Sequence, residues 1–249
     1  TALLISLSLV ACSSTKKVDT NQLFKDAYTK THALSAANLK STTAVDSTDS
    51  DGENTAIEYT ITMAANGLDS TASDYEANMV ISATMSGKTQ ELSLYVKDGY
   101  GYMSANGSKA KMSVKSALGT VSGAPTDSST ADEIVETLDV TKATVEEKDG
   151  AYTYTFEYKT LSDITAFLKK VTSMKSLASS MNGIDEASMI IKVTVKDEYI
   201  TTTDLQIDAT GENDGEVATI KVKVENIDPG KAVTITAPSD LSSYSQTSY

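Results

Sequence analysis

The sequence predicts an α+β fold, mainly antiparallel β, in which about eleven strands form an open sheet and two long helices and one short helix pack on it. Three observations predict it. Apolar and polar residues alternate in two long blocks, one before residue 115 and one after residue 183. Two other stretches, about 19–37 and 162–181, repeat apolar residues at helical spacing. Asp-Gly and Asn-Gly pairs punctuate the alternating blocks, where tight hairpins need backbone with positive φ.

Taken in order, Asp19 and Gln22 have the form of a capping box, and Leu23, Ala27, Thr31 and Leu34 follow on one face, which predicts an amphipathic helix over 19–37. The period then becomes two. Ile57, Tyr59, Ile61 and Met63 alternate with polar residues, as do Ala77 to Met85, Leu92 to Val96 and Ala110 to Val114. Turn signals stand at Asp51-Gly52, Asn66-Gly67, Asp98-Gly99 and Asn106-Gly107. Residues 115–129, with Gly119, Gly123 and Pro125 among serines and threonines, read as a long loop. Thr130 and Glu133 then cap a short helix carrying Ile134, Val135 and Leu138. Strands resume at about 140–147, and Asp149-Gly150 turns into the aromatic face of Tyr152, Tyr154, Phe156 and Tyr158. The second long helix, 162–181, aligns Leu161, Ile164, Leu168, Val171, Met174, Ala178 and Met181. Strands around Met189–Val195, Leu205–Ile207, Ala218–Val224 and Val233–Ile235 complete the pattern, and 239–249 reads as a frayed, disordered tail.

Composition narrows the function. All 21 basic residues are lysines, so the bidentate fork favoured for phosphate and guanine is missing, and the net charge of -13 repels polyanions. Nucleic acid is therefore excluded as a partner. There is no Trp and only Phe24, Phe156 and Phe167 among phenylalanines, so Val, Ile, Leu, Met and Tyr must fill the interior. A single cysteine, Cys12, forbids an intramolecular disulfide.

At the start of the chain, an apolar run from Ala2 to Val10 closes on Leu9-Val10-Ala11-Cys12, which resembles a bacterial lipobox. The resemblance implies a signal peptide over 1–11, cleavage before Cys12, and acylation of that residue with chains such as palmitate. Residues 12–18 then form a lipidated tether, and 19–238 a single domain held at the extracytoplasmic face of the cell membrane. Two or more acyl chains, at roughly 0.8 kcal/mol per buried methylene, make such an anchor stable. The run itself is too short to span a bilayer as a helix.

The order of helix, meander, helix, meander behind Cys12 resembles the LolA/LolB and LppX/LprG-type lipoprotein superfamily, and more closely the uncharacterised Gram-positive lipoproteins of that shape. The likeness covers roughly residues 20–237, and its more telling stretches are Leu94–Met103, with Asp98-Gly99 followed by Tyr100 and Tyr102, and Val193–Ile200. It implies a strongly curved open sheet, a half-barrel, with the helices against its concave face, often around an apolar cavity for lipid. It implies no catalytic residues.

Candidate chemistry is sparse. His32 is the only histidine and reads as a surface residue. Serine hydrolysis would need it as base, and no Gly-x-Ser-x-Gly elbow is present. The run Ser47-Thr48-Asp49-Ser50-Asp51-Gly52, with Glu58 beyond, approaches a calcium-loop pattern but starts on serine and sits between strands, so it reads as an acidic hairpin loop. Glu212–Glu216 reads the same way. No metal site, cofactor or enzymatic activity is expected, and the chain is expected to be a monomer. If a lipid or other apolar small molecule binds, the sequence places it against Tyr59, Ile61, Met63, Met79 and Ile81 on inward strand faces and Ile164, Leu168, Val171 and Met174 on the second long helix. The alternative is a non-catalytic envelope protein with a filled core, which meets a partner through its acidic surface or the 115–129 loop.

Overall fold

The computed structural model describes residues 18–68, 75–114, 116–117, 128–181, 183–211 and 216–246. The lipobox residues Leu9, Val10, Ala11 and Cys12, most of the tether, and most of the predicted 115–129 loop lie outside them.

The described residues form one 12-stranded sheet with four helices on its inner face. Helix α1 (Thr20–His32) precedes a meander of β1 (Ala36–Thr48), β2 (Asn54–Asn66), β3 (Glu76–Met85), β4 (Lys88–Lys97), β5 (Tyr100–Ala105) and β6 (Ser108–Ser113). Helix α2 (Ser128–Thr137) leads to β7 (Thr144–Lys148) and β8 (Ala151–Tyr158). Helices α3 (Leu161–Leu168) and α4 (Lys175–Ser180) then precede a second run of β9 (Ile184–Lys196), β10 (Tyr199–Gly211) and β11 (Val217–Asn226). The two meanders join where β11 pairs with β1, and a short parallel strand, β12 (Ser245–Gln246), adds to β6. The sheet is open, with β7 and β12 at its ends.

Register follows from the alternation. Leu39, Ser41, Thr43 and Val45 of β1 align with Met63, Ile61, Tyr59 and Ile57 of β2 and with Asn226, Val224, Val222 and Ile220 of β11. One face of the whole sheet thus points inward, and the other carries Lys40, Thr42, Lys192, Asp204 and Lys223 toward solvent. Two-residue turns at Asp98-Gly99 and Asn106-Gly107 take positive φ at both positions, as their sequence predicts.

Four expectations need correction. The first helix stops at His32, because from Ala36 the chain pairs with both β2 and β11. That strand was hidden by its inward Ser41 and Thr43, which blunt the apolar alternation. The second long helix is broken: Val171 is extended, and the 3₁₀ turn Thr172–Met174 is held by Glu133 of α2, which accepts from the Ser173 amide at 3.0 Å and hydroxyl at 3.1 Å. Its apolar register survives, since Ile164, Leu168, Val171, Met174, Ala178 and Met181 are all buried. Val233 and Ile235 form no strand, because both edges of β11 are already taken by β1 and β10. Finally, residues 239–246 are not frayed. Lys109 pairs with Asp240, Tyr244 packs edge-on against Tyr102 at 5.7 Å, and β12 joins the sheet.

Candidate functional site

The inward face is continuous, but the packing on it is not. Over β8–β11, Phe24 and Ala27 of α1, Ile134 and Val135 of α2, and Ile164, Phe167 and Leu168 of α3 interlock with Tyr154, Phe156, Ile191, Val193, Leu205 and Ile207. Over β2–β6 a smaller cluster gathers Ala65, Ala77, Leu94, Val96, Met112 and Ala117. Of the inward residues of β1, Leu39 belongs to neither, and Ser41 and Thr43 put buried polar side chains between the two. A seam therefore runs along β1 between two separately packed halves.

At one end of that seam lies a pocket of about 340 Å³. Its walls are Tyr28, Thr31 and His32 from the last turns of α1, Ala33 and Leu34 just after them, and Ala131, Asp132 and Val135 of α2. Its floor is Leu39 of β1, Met63 of β2, Thr203 of β10, and Val224 and Asn226 of β11. Most of this lining is apolar, and the volume falls at the lower end of the roughly 300–1,000 Å³ of small-molecule sites.

Local chemistry fixes the wall against the floor. The ladder between β9 and β10 shifts register between Ile200 and Thr202, and the pairing of β10 with β11 begins only at Thr202, so Ile200 lies beyond the β11 ladder. Its amide donates to Thr31 Oγ1 at 2.8 Å, and its carbonyl accepts from Asn226 Nδ2 at 2.8 Å. Farther back on α1, Phe24 meets Tyr154 edge-on at 4.9 Å, and the Tyr154 hydroxyl donates to the Thr20 carbonyl at 2.6 Å. Burial, with smaller contributions from Tyr152 and Asp19, raises the Tyr154 hydroxyl to a pKa of about 12. At the other end of α1, Lys30 pairs with Glu198 at the β9–β10 turn and lies over the Tyr199 ring.

The ionisable side chains of the pocket sit at its mouth. His32 stacks on Tyr28 at 5.8 Å, and its Nδ1 lies 3.7 Å from Asp132 Oδ2. Burial, and then the negative charges of Glu136 and Asp132, hold the Tyr28 hydroxyl above its ordinary pKa. Among the described residues no three His, Cys, Asp or Glu side chains are grouped to hold a metal ion. The acidic loop after β1 is a hairpin turn in which Asp49 accepts from the amides of Asp51 and Glu53.

Of the nine residues singled out from the sequence, Met63 lines the pocket. Tyr59, Ile61, Met79 and Ile81 share its face of the sheet without reaching the pocket wall. Ile164, Leu168, Val171 and Met174 are instead buried within the packed half. Leu39, Thr203, Val224 and Asn226 were missed as lining residues. The alternation Leu39-x-Ser41-x-Thr43-x-Val45 was the available signal for the first of them.

The sequence matches no family model and no curated protein. Similar solved structures include LprF from Mycobacterium bovis, at 11% identity over 87% of this chain and 95% of that one, with a TM-score of 0.43. Others are a DUF1329 family protein from Desulfovibrio piger (9%, 85% and 94%, TM-score 0.26) and a LolA superfamily protein from Nitrosomonas europaea (10%, 85% and 94%, TM-score 0.24).

Proposed function

We propose that the protein is a membrane-anchored, extracytoplasmic lipoprotein that binds or carries a lipid or other apolar small molecule in the pocket over β1. The observation that carries this reading is the seam. Two halves of one apolar face are packed independently, and the 340 Å³ between them has mainly apolar walls. A chain selected only for stability would close such a gap, because interiors pack at the density of organic crystals. The anchor rests on Leu9-Val10-Ala11-Cys12. No helix among the described residues is long and apolar enough to cross a membrane, so lipid on Cys12 would supply the attachment. The reading assigns the protein no catalysis and treats it as a monomer.

Native mass spectrometry of protein purified gently from its own host tests this. A mass excess lost on organic extraction supports carriage. A uniformly ligand-free spectrum, with no saturable binding of the neutral apolar dye Nile red, sinks it. A second reading, a non-catalytic envelope protein that works through its surface, is favoured by one observation: the β8–β11 half is filled, with Ile164, Leu168 and Val171 wholly buried. The same experiment separates the two.

A further inference from the structure

Two side chains in the seam lack partners. Ser41 is 6% exposed and Thr43 3% exposed, and among the described residues neither Ser41 Oγ nor Thr43 Oγ1 has a hydrogen bond. Buried hydroxyls are nearly always satisfied, so two on adjacent inward positions of one strand call for an occupant. Their place names the site. Leu39, the preceding inward residue of β1, is on the pocket floor, and Val224, also on the floor, pairs directly with Ser41. Thr203, a third floor residue, pairs with Val224 from the other side, so Ser41 stands next in a row whose Val224 and Thr203 line the pocket, one position behind the lining itself.

The chemistry of the seat follows from what surrounds it. The inward residues of β1, β2 and β11 are all uncharged. A carboxylate or phosphate driven this deep would lose its hydration with no cation to meet it. Hydroxyls both donate and accept, so they suit an uncharged oxygen such as an alcohol or an ester. Resting on the reading of the pocket as a ligand site, we infer that Ser41 and Thr43 form an internal hydrogen-bonding seat for an uncharged oxygen of the ligand, whose alkyl part fills the space above Leu39 and Met63. The ligand class is then an uncharged amphiphile, an alcohol or ester, entering oxygen first, and the polar side chains of His32 and Asp132 remain at the mouth.

The test compares 1-octanol with 1-chlorooctane as displacers of Nile red, on wild type and on the Ser41→Ala/Thr43→Val double variant. The seat predicts that the double variant weakens octanol by about tenfold, as expected for one or two lost neutral hydrogen bonds, and leaves chlorooctane unchanged. It also predicts that the empty variant melts at or above the wild-type temperature, because the hydroxyls it loses were unpartnered. Equal changes for the two displacers, no change for either, or a lowered melting temperature would each overturn the seat while leaving the pocket standing. If the double variant does not yield folded protein, Ser41→Ala alone carries both the melting and the displacement tests, with the same outcomes. Failure of both displacers and of the dye on wild type would instead overturn the pocket itself.

Discussion

Replacing Val171 and Ala37 separately with Phe distinguishes a filled half from an open seam. Val171 is 0% exposed, and Ile164 and Leu168 in the same cluster are equally buried. A phenyl ring there has no room, and overpacking costs about 1–3 kcal/mol. For a domain of this size each kcal/mol lowers the thermal midpoint by about 2–4 °C, so a central cost of about 2 kcal/mol means a loss of about 4–8 °C. Ala37 also faces inward, from β1, but it is only half-buried and borders the 340 Å³ pocket. The six carbons that Phe adds enter space that is already open. The expected cost there is under about 1 kcal/mol, while affinity for Nile red falls by at least about tenfold as the ring takes the ligand's place. Circular dichroism melts and dye titrations on the same two preparations give both numbers. Equal destabilisation by the two substitutions would refute the distinction between the halves. So would an Ala37→Phe protein that binds dye like wild type.

Three further outcomes are expected. A Cβ added at Gly101 runs into the Ala117 methyl and comes within 3.3 Å of Leu94 Cδ1; Gly101→Ala should therefore cost about 1–3 kcal/mol in urea unfolding, and a neutral result would show that Ala117 is not seated there. The folded Tyr154 hydroxyl holds its proton to a pKa of about 12, above the unfolded value near 10. In that interval the folded state binds the proton more tightly, so its contribution is complete below pH 10 and is lost as pH rises toward 12. Tyr154→Phe should flatten this alkaline decline and cost about 0.5–1.5 kcal/mol at neutral pH through the lost bond to Thr20, and an unchanged alkaline profile would contradict the assignment. Cys12→Ala should abolish incorporation of a fatty-acid label in the host and leave the precursor uncut, whereas continued labelling would refute the lipobox reading.

The sequence showed the fold where periodicity was unmixed. Tyr152 to Tyr158, Met189 to Val195 and Ala218 to Val224 read as strands and are strands, and the apolar spacing from Ile164 to Met181 points inward even though the helix carrying it breaks at Val171. That break depends on Glu133 reaching Ser173 from 40 residues away, which no local pattern encodes. The pocket was harder to read for a related reason. Its floor comes from β1, β2, β10 and β11, and two of those strands meet only through the long-range pairing of Leu39–Thr48 with Val217–Asn226. The residues that mark the seam, Ser41 and Thr43, are the ones that made β1 look unlike a half-buried strand. The polar interruption that hid the element in the sequence is also what sets its site apart in the structure.

The most direct test of the account is methyl NMR during titration with 1-octanol, following Leu39, Met63 and Val224 beside the pocket and Ile164, Leu168 and Met174 in the packed half. Saturable shifts at the first three, with the second three unmoved, are the predicted result. Shifts centred on Ile164 and Leu168, or no saturable shift at any methyl, would contradict a ligand site over β1.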